Sequence, residues 1–166
     1  MICPICNSET VCTQEPYHYT ESGLDYIYLE GIDVCQCTCG ETIVSISAMP
    51  ELHNVIALCI LEKKSLLSGP EIRFLRKNMG LTATKLSKKI GVSKETISRW
   101  ENGLQAITKP HDHFIRLLYS NIIGVPEDKI KHLIEEDFEE IEPEQKKILK
   151  QIIPWPKLKN ECRISV

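Results

Sequence analysis

The first 62 residues of this 166-residue chain contain no lysine and no arginine, although they contain nine acidic residues. Residues 63–116 have the opposite imbalance, with twelve basic and four acidic residues. We expect the acidic N-terminal third to avoid DNA and to suit a basic partner, whereas the basic segment can neutralise phosphates. The alternative is that the exposed surfaces of the two segments differ in charge by chance. The charge imbalance is therefore informative only where it coincides with an independent sequence motif.

Long apolar runs are also missing. No stretch approaches the ~20 residues that a membrane-spanning helix needs. The first residues, MICPICNSET, lack the basic and apolar regions of a signal peptide, so we expect a cytoplasmic protein without membrane contact. The chain has no Ser/His/Asp set, no phosphate-binding loop and no carboxylates placed for acid–base work, and we therefore do not expect an enzyme.

Breaks in the residue pattern divide the chain into four segments, at 1–48, 49–68, 69–123 and 124–166. Alternating tyrosines on both sides of a turn at 21–23 predict two strands, and a third strand is expected over 32–37. The fold class is therefore α+β. The expected order begins with a small zinc-binding β-rich domain, which is followed by a connecting helix at 51–62 and its linker. An all-α helix-turn-helix bundle comes next, and a helical C-terminal extension follows it. Short helices are expected at about 127–139 and 143–152, followed by a tail.

Cysteines with metal-ligand spacing occur at both ends of the first segment. Cys3 and Cys6 form one knuckle, and we favour Cys37 and Cys39 for the second, because Gly40 suits a turn that directs backbone amides at a thiolate. Cys35 lies two residues before Cys37 and is the substitute ligand. Four thiolates would hold one structural Zn²⁺ ion with no open position for catalysis.

A structural metal ion would supply stability that a domain of about 45 residues lacks. Buried thiols without a metal ion are the alternative. Cys12, Cys59 and Cys162 are isolated in the sequence, and we expect either core packing or a chance position on the surface to explain them. A free Cys35 beside the cluster would also allow release of zinc on oxidation.

Residues 80–103, GLTATKLSKKIGVSKETISRWENG, have the pattern of a helix-turn-helix. Thr82 caps a helix that ends at Ile90, and Gly91 suits the positive φ of the turn. Ser93 caps the next helix, about 94–102, whose Ile97 and Trp100 point inward. A generic helical bundle with a basic face is the alternative, but the caps, the turn glycine and the buried positions all agree.

The outward face of this last helix supplies the candidate DNA contacts. Arg99 can pair with guanine through two hydrogen bonds, and Glu95 can accept one from a cytosine amine. The other candidate DNA-binding residues, most of them suited to phosphates, are Lys94, Thr96, Ser98, Asn102 and Lys109. Arg76 and Glu101 are expected to pair across two helices and so to orient the reading helix.

The same residues carry a family resemblance. GLTATKLSKKIGVSKETISRWENG resembles the Xre/Cro-type helix-turn-helix, and Cys3-Pro-Ile-Cys6 with Gly31-Ile32-Asp33-Val34 and Cys39-Gly40-Glu41 resembles the YgiT-type zinc finger. Together, in this order, they resemble MqsA-like antitoxin regulators over roughly residues 1–120. The second cysteine pair departs from the pattern, since it is C-x-C instead of C-x-x-C.

The resemblance implies a bacterial, nucleoid-associated homodimer that binds a palindromic double-stranded DNA operator and represses its own operon. It further implies that the N-terminal domain can bind a cognate toxin of a type II toxin–antitoxin system. A transcription regulator that senses redox state through its thiols and zinc, without a toxin partner, is the alternative function.

Overall fold

The computed structural model describes residues 1–126 and 151–155, which belong to two compact units. One unit combines Met1–Val55 with the C-terminal residues 151–155, and the other begins at Ile56. The first is built mainly on strands and the second on helices, which confirms the α+β class.

Two small sheets form the first unit. Strands β1 (Val11–Thr13), β4 (Val34–Gln36) and β5 (Thr42–Val44) form an antiparallel sheet in the order β1-β4-β5. Strands β2 (Tyr17–His18), β3 (Ile27–Glu30) and β6 (Gln151–Pro154) form the other, in the order β2-β3-β6.

The tyrosine-rich hairpin and the strand after it are confirmed. β2 and β3 pair antiparallel, and a short 3₁₀ helix at Thr20–Ser22 with Gly23 at a φ of 77° turns the chain between them. β4 falls inside the range expected for the third strand. β1 and β5 were not predicted, because each has three residues and β1 has no buried side chain.

Strand β6 corrects the last two residues of the helix that was expected over residues 143–152. Residues 151 and 152 pair in parallel with β3 instead, and the Trp155 amide donates to the Glu30 carbonyl at 2.7 Å. Ile153 and Trp155 are buried, and the indole of Trp155 donates to the Ser47 carbonyl. The end of the chain therefore completes the core of the first unit, whereas the remaining expected C-terminal helices lie outside the described residues.

Within the described part of the chain, five α-helices follow β5. They are α1 (Met49–Glu62), whose first half belongs to the first unit, and then α2 (Gly69–Asn78), α3 (Ala83–Ile90), α4 (Lys94–Glu101) and α5 (Lys109–Ile123). α1 confirms the connecting helix. In the second unit, apolar side chains from each of α2 to α5 are fully or almost fully buried, including those of Ile72, Leu75, Leu86, Ile97 and Ile115.

Local caps explain where the central helices begin and end. The Thr82 hydroxyl accepts from the Lys85 amide, and the Ser93 hydroxyl accepts from the Thr96 amide, both at 3.1 Å. Gly91 has a φ of 80°, a left-handed conformation that glycine adopts without the Cβ clash of other residues. These caps confirm the helix boundaries expected for the helix-turn-helix.

A fully buried ion pair on α5 anchors the segment that leads from α1 into α2. The Arg116 guanidinium donates to Asp112 at 2.8 Å, and the other Asp112 oxygen accepts from the Leu67 amide at 2.6 Å. Arg116 also donates to four carbonyls at and after the end of α1, those of Ile60, Leu61, Lys63 and Ser65. The pair thus satisfies carbonyls that the helix end leaves without partners.

Candidate nucleic-acid interface and metal centre

Helix α4 presents one buried and one exposed face. Ile97 has no exposed surface and Trp100 is 2% exposed, so both anchor the helix in the core. Ser98 and Arg99 lie between them in the sequence and are exposed, as are Lys94 and Glu95 in the first turn. The structure therefore places these four candidate DNA contacts on the solvent side, while Thr96 is half-buried beside the Ser93 cap.

An ion pair fixes the orientation of α4 against α2, as expected. Arg76 donates through Nε and Nη2 to the two carboxylate oxygens of Glu101, at 2.5 and 2.9 Å. The hydrogen bond to Glu101 is the main reason why the pKa of Arg76 is raised. Arg76 also donates to the Leu81 carbonyl, which ties the same guanidinium to the turn between α2 and α3.

Asn102 has an additional structural role that the sequence did not indicate. Its side-chain oxygen accepts from Arg73 at 2.7 Å, and its amide nitrogen donates to the Ser98 carbonyl at 2.9 Å. Asn102 therefore stabilises the last turn of α4 and links it to α2. Its proposed contact with a phosphate stays a prediction.

Glu95 is held in its charged form at the start of α4. Its own backbone amide, followed by the Ser93 side chain, lowers the pKa of the carboxyl group, and the charges of Lys94 and Arg99 lower it further. A carboxylate at a helix N-terminus is stabilised by the helix dipole. Because it is exposed and ionised, Glu95 is able to accept a hydrogen bond from a base amine.

Buried ion pairs make the surface of residues 63–116 more basic than their composition indicates. Three of the four acidic residues in 63–116 are buried, and each has a basic partner: Glu71 with Lys63, Glu101 with Arg76, and Asp112 with Arg116. Glu95 is the only exposed acid in that range. The exposed bases of the range are Lys64, Lys77, Lys85, Lys88, Lys89, Lys94, Arg99 and Lys109.

The metal centre expected in the first unit has its ligands in place. The sulfur atoms of Cys3, Cys6, Cys37 and Cys39 all lie within 4.8 Å of one another. Cys3 is 3.7 Å from Cys39, and Cys6 is 3.3 Å from Cys37. Four thiolates around a tetrahedral zinc ion are about 3.8 Å apart, given Zn–S bonds of about 2.3 Å. The four thiols therefore fit one metal ion of this type.

The two knuckles differ in the spacing of their cysteines, but the same type of backbone hydrogen bond closes each of them. In the first, Asn7 follows Cys6, has a φ of 56°, and donates its amide to the Cys3 carbonyl at 3.0 Å. In the second, Gly40 follows Cys39, has a φ of 90°, and donates to the Cys37 carbonyl at 2.9 Å. The C-x-C pair is thus a knuckle that is shorter by one residue and is closed by the same backbone contact.

Cys6 and Cys39 have pKa values that are shifted in opposite directions. The side chain and backbone of Ser8, followed by the thiols of Cys37 and Cys39, lower the pKa of Cys6 to about 6. For Cys39 the Glu41 amide acts to lower the pKa, but hydrogen bonds from the other thiols outweigh it and raise the pKa to about 12. Cys6 is therefore the first of these two thiols to supply the thiolate that a metal ion binds.

Cys35 is not a spare thiol, and Cys12 is not isolated. The two form a disulfide that joins β1 to β4, where they are directly opposite each other. This corrects both expectations, and it leaves Cys37 as the residue that joins the cluster. Cys59, which was also expected to be isolated, is disulfide-bonded as well. The sequence could not indicate the Cys12–Cys35 pairing, because it depends on the register of two three-residue strands.

Comparison with known proteins supports the assignment of the helix-turn-helix. Residues 72–111 match the helix-turn-helix family model. No curated protein matches the chain. Among the described residues, no helix is both long and apolar enough to cross a membrane. The family match, the orientation of α4 and the exposed bases together support a DNA-binding transcription regulator, preceded by a four-cysteine cluster that can bind one metal ion.

Proposed function

We propose that this protein is a sequence-specific regulator that represses its own operon by binding a palindromic operator as a homodimer. The observation that carries the proposal is the burial of three acidic side chains in ion pairs, which leaves Glu95 as the only exposed acid among the exposed bases of 63–116. Because duplex DNA carries one charge per ~1.7 Å of helix axis, such a surface gains affinity by releasing counterions.

Base reading is assigned to Arg99 and Glu95, and phosphate contact to the exposed lysines around them. Arg99 offers a planar pair of donors that matches the O6 and N7 atoms of guanine. The test is to select DNA sites from a random library with the full chain and then to compare Arg99→Ala and Arg99→Lys on the selected site. Arg99→Lys keeps the charge but loses the paired geometry.

Both variants are expected to lose ~1–3 kcal/mol of binding to the selected site and to tolerate other bases at one position. Arg99→Lys should keep the salt dependence of the wild type, whereas Arg99→Ala should keep it only if Arg99 makes no phosphate contact. Unchanged site preference in both variants would exclude Arg99 as a reading residue.

A homodimer is supported by the uncharged end of α5. Residues 117–126 contain no charged side chain, although residues 63–116 before them are strongly basic, and Phe114, Leu117 and Ile122 are each 37–44% exposed on this helix. Two copies can approach each other at such a surface without repulsion between their basic side chains. A dimer would place two reading helices about 34 Å apart, which is one turn of DNA.

Phe114→Glu is the variant that tests the dimer, and sedimentation equilibrium is the measurement. We expect the variant to be monomeric and to bind an isolated half-site normally, with cooperative binding to the palindrome lost. Leu104→Glu is the matched control, because Leu104 is 77% exposed and lies outside α5. A wild-type chain that is monomeric at binding concentrations would refute the dimer.

The antitoxin role is the finer part of the proposal. It is supported by the resemblance to MqsA-like regulators and by the surface of the first unit. Residues 1–55 contain eight acids and no lysine or arginine, and the apolar side chains of Met1, Ile2, Ile5 and Val11 are 57–74% exposed. Such a surface suits a basic protein partner. Purification of the tagged chain from its native cells should yield a stoichiometric small basic protein, and repeated absence of one would rule out the antitoxin role.

Redox sensing remains the second candidate, and the Cys12–Cys35 disulfide is the observation that favours it. The zinc-loaded protein is first reduced with a phosphine, so that Cys12 and Cys35 are thiols, and is then treated with peroxide; the released zinc and the operator affinity are measured. A change in operator affinity supports a sensor, and no change in either quantity would eliminate it.

A further inference from the structure

The Cys12–Cys35 disulfide joins the two segments of chain that carry the metal-binding knuckles. After Cys6, the chain runs back along its own start, since Ile2 is bridged to Glu9, and then enters β1. On the other side, β4 leads directly to Cys37. The bond between Cys12 on β1 and Cys35 on β4 therefore links the two knuckles covalently, six residues after Cys6 and two residues before Cys37.

We propose that the redox state of Cys12 and Cys35 sets the affinity of the four-thiol cluster for its metal ion, with the disulfide form binding more tightly than the dithiol form. The inference rests on metal binding by the cluster but not on DNA binding. It also reverses the expected sign of a redox response, because mild oxidation would strengthen the metal site instead of releasing the metal.

The magnitude follows from the length of chain between the knuckles. Cys6 and Cys37 are 31 residues apart along the chain. Through the disulfide, the path from Cys6 to Cys37 is only about nine residues long. The entropic free-energy cost of closing a flexible loop of n residues grows as (3/2)RT ln n. Shortening the path therefore raises the probability that the two knuckles meet, and with it the metal affinity, roughly sixfold.

The coupling is reciprocal, because two equilibria that influence each other do so by the same factor. If the disulfide raises zinc affinity sixfold, zinc must make the disulfide sixfold harder to reduce. For a two-electron couple this factor lowers the reduction potential by about 23 mV. Metal and disulfide thus protect each other, and loss of one promotes loss of the other.

The exposure of Cys12 and Cys35 determines which of the two sulfur atoms a reducing thiol attacks. Cys12 is exposed, whereas Cys35 has no exposed surface. The thiolate of a small thiol such as glutathione therefore attacks the Cys12 sulfur, and the Cys35 sulfur leaves and takes up a proton. A second glutathione then attacks the mixed disulfide, so that two glutathione molecules are oxidised to glutathione disulfide while one protein disulfide is reduced to two thiols.

The test measures the zinc affinity of the full chain by competition with a chromophoric chelator. Wild-type protein is compared after equilibration with glutathione disulfide and after reduction with a phosphine, beside the Cys12→Ser/Cys35→Ser double variant. The oxidised wild type should bind zinc about sixfold more tightly than the reduced wild type. The double variant should match the reduced wild type under both conditions, and it retains every other cysteine, so a response from those cysteines would appear in it as well.

A second measurement needs no variant. The fraction of oxidised Cys12–Cys35 is followed by mass spectrometry in glutathione redox buffers with and without zinc, and zinc should lower the potential by about 23 mV. Equal zinc affinity in the two redox states, or an equal redox response in the double variant, would overturn the coupling. Absence of zinc binding in both states would overturn it together with the metal site.

Discussion

Replacement of Gly31 by alanine tests whether the end of the chain completes the N-terminal unit. Gly31 follows β3 with a φ of 79°, and an added Cβ would lie 2.7 Å from the Trp155 carbonyl oxygen. That distance is too short for a carbon beside a backbone atom, so β6 must shift away from β3. The shift would disturb the bond from the Trp155 amide to the Glu30 carbonyl.

Gly23→Ala is the matched control. Gly23 has almost the same φ, 77°, but an added Cβ there would meet nothing within 4 Å. Both variants therefore carry the backbone cost of a left-handed alanine, about 1–2 kcal/mol. Only Gly31→Ala adds the clash, which as overpacking should cost a further ~1–3 kcal/mol. The difference between the two variants isolates the contact with the C-terminal segment.

The assay is hydrogen exchange by mass spectrometry on peptides that cover β3 and β6. In Gly31→Ala, amides of residues 27–31 and 151–155 should exchange faster than in Gly23→Ala, and the N-terminal unit should unfold at a lower urea concentration. Complete detachment of β6 would expose Ile153 and Trp155, and the burial of each side chain stabilises the fold by ~1.5–3 kcal/mol. The sum of these two contributions is therefore the upper limit for the stability lost through detachment. Equal exchange and equal stability in the two variants would refute the pairing of β6 with β3.

Three further predictions concern the helical unit. Gly69→Ala should destabilise it by ~1–3 kcal/mol in urea unfolding, since the new Cβ would lie 2.6 Å from the Trp100 carbonyl oxygen; a neutral or stabilised variant would contradict the close packing of α2 on α4. Asp112→Asn should cost ~3–5 kcal/mol by leaving buried Arg116 without its charge partner, and the double change Asp112→Leu/Arg116→Met should recover part of that loss, whereas additive losses would argue against the pair. Trp100→Ala should lower stability by ~3–5 kcal/mol, whereas Arg99→Ala should leave thermal unfolding unchanged; a similar loss in both would contradict the division of α4 into buried and exposed faces.

The helix-turn-helix could be predicted from the sequence because its signals are local. Thr82 and Ser93 bond to amides three residues away, and Gly91 needs only its own backbone conformation. The Arg76–Glu101 pair followed from the same geometry, since a known arrangement of three helices brings those positions together. Local chemistry therefore determined the boundaries, the buried positions and the exposed face of α4.

The features that the sequence did not reveal all depend on distant pairing. β6 consists of a short apolar run that fits a helix end as well as a strand, and only its partner β3, more than 100 residues earlier, selects the strand. The Cys12–Cys35 bond requires the register of β1 against β4. The burial of Glu71 and Asp112 with basic partners, which leaves Glu95 as the only exposed acid of residues 63–116, is likewise a consequence of tertiary packing.

The most direct test of the central claim is the salt dependence of DNA binding by the full chain. Affinity for the site selected from a random DNA library, and for an unrelated duplex, would be measured by fluorescence anisotropy between 50 and 200 mM salt. We expect binding to the selected site to weaken steeply, with log K falling by ~0.9 per phosphate contacted for each unit of log salt, and to exceed non-specific binding by ~10³-fold or more. Failure to enrich any site, together with binding that does not change with salt, would contradict the assignment of the exposed bases and α4 to DNA recognition.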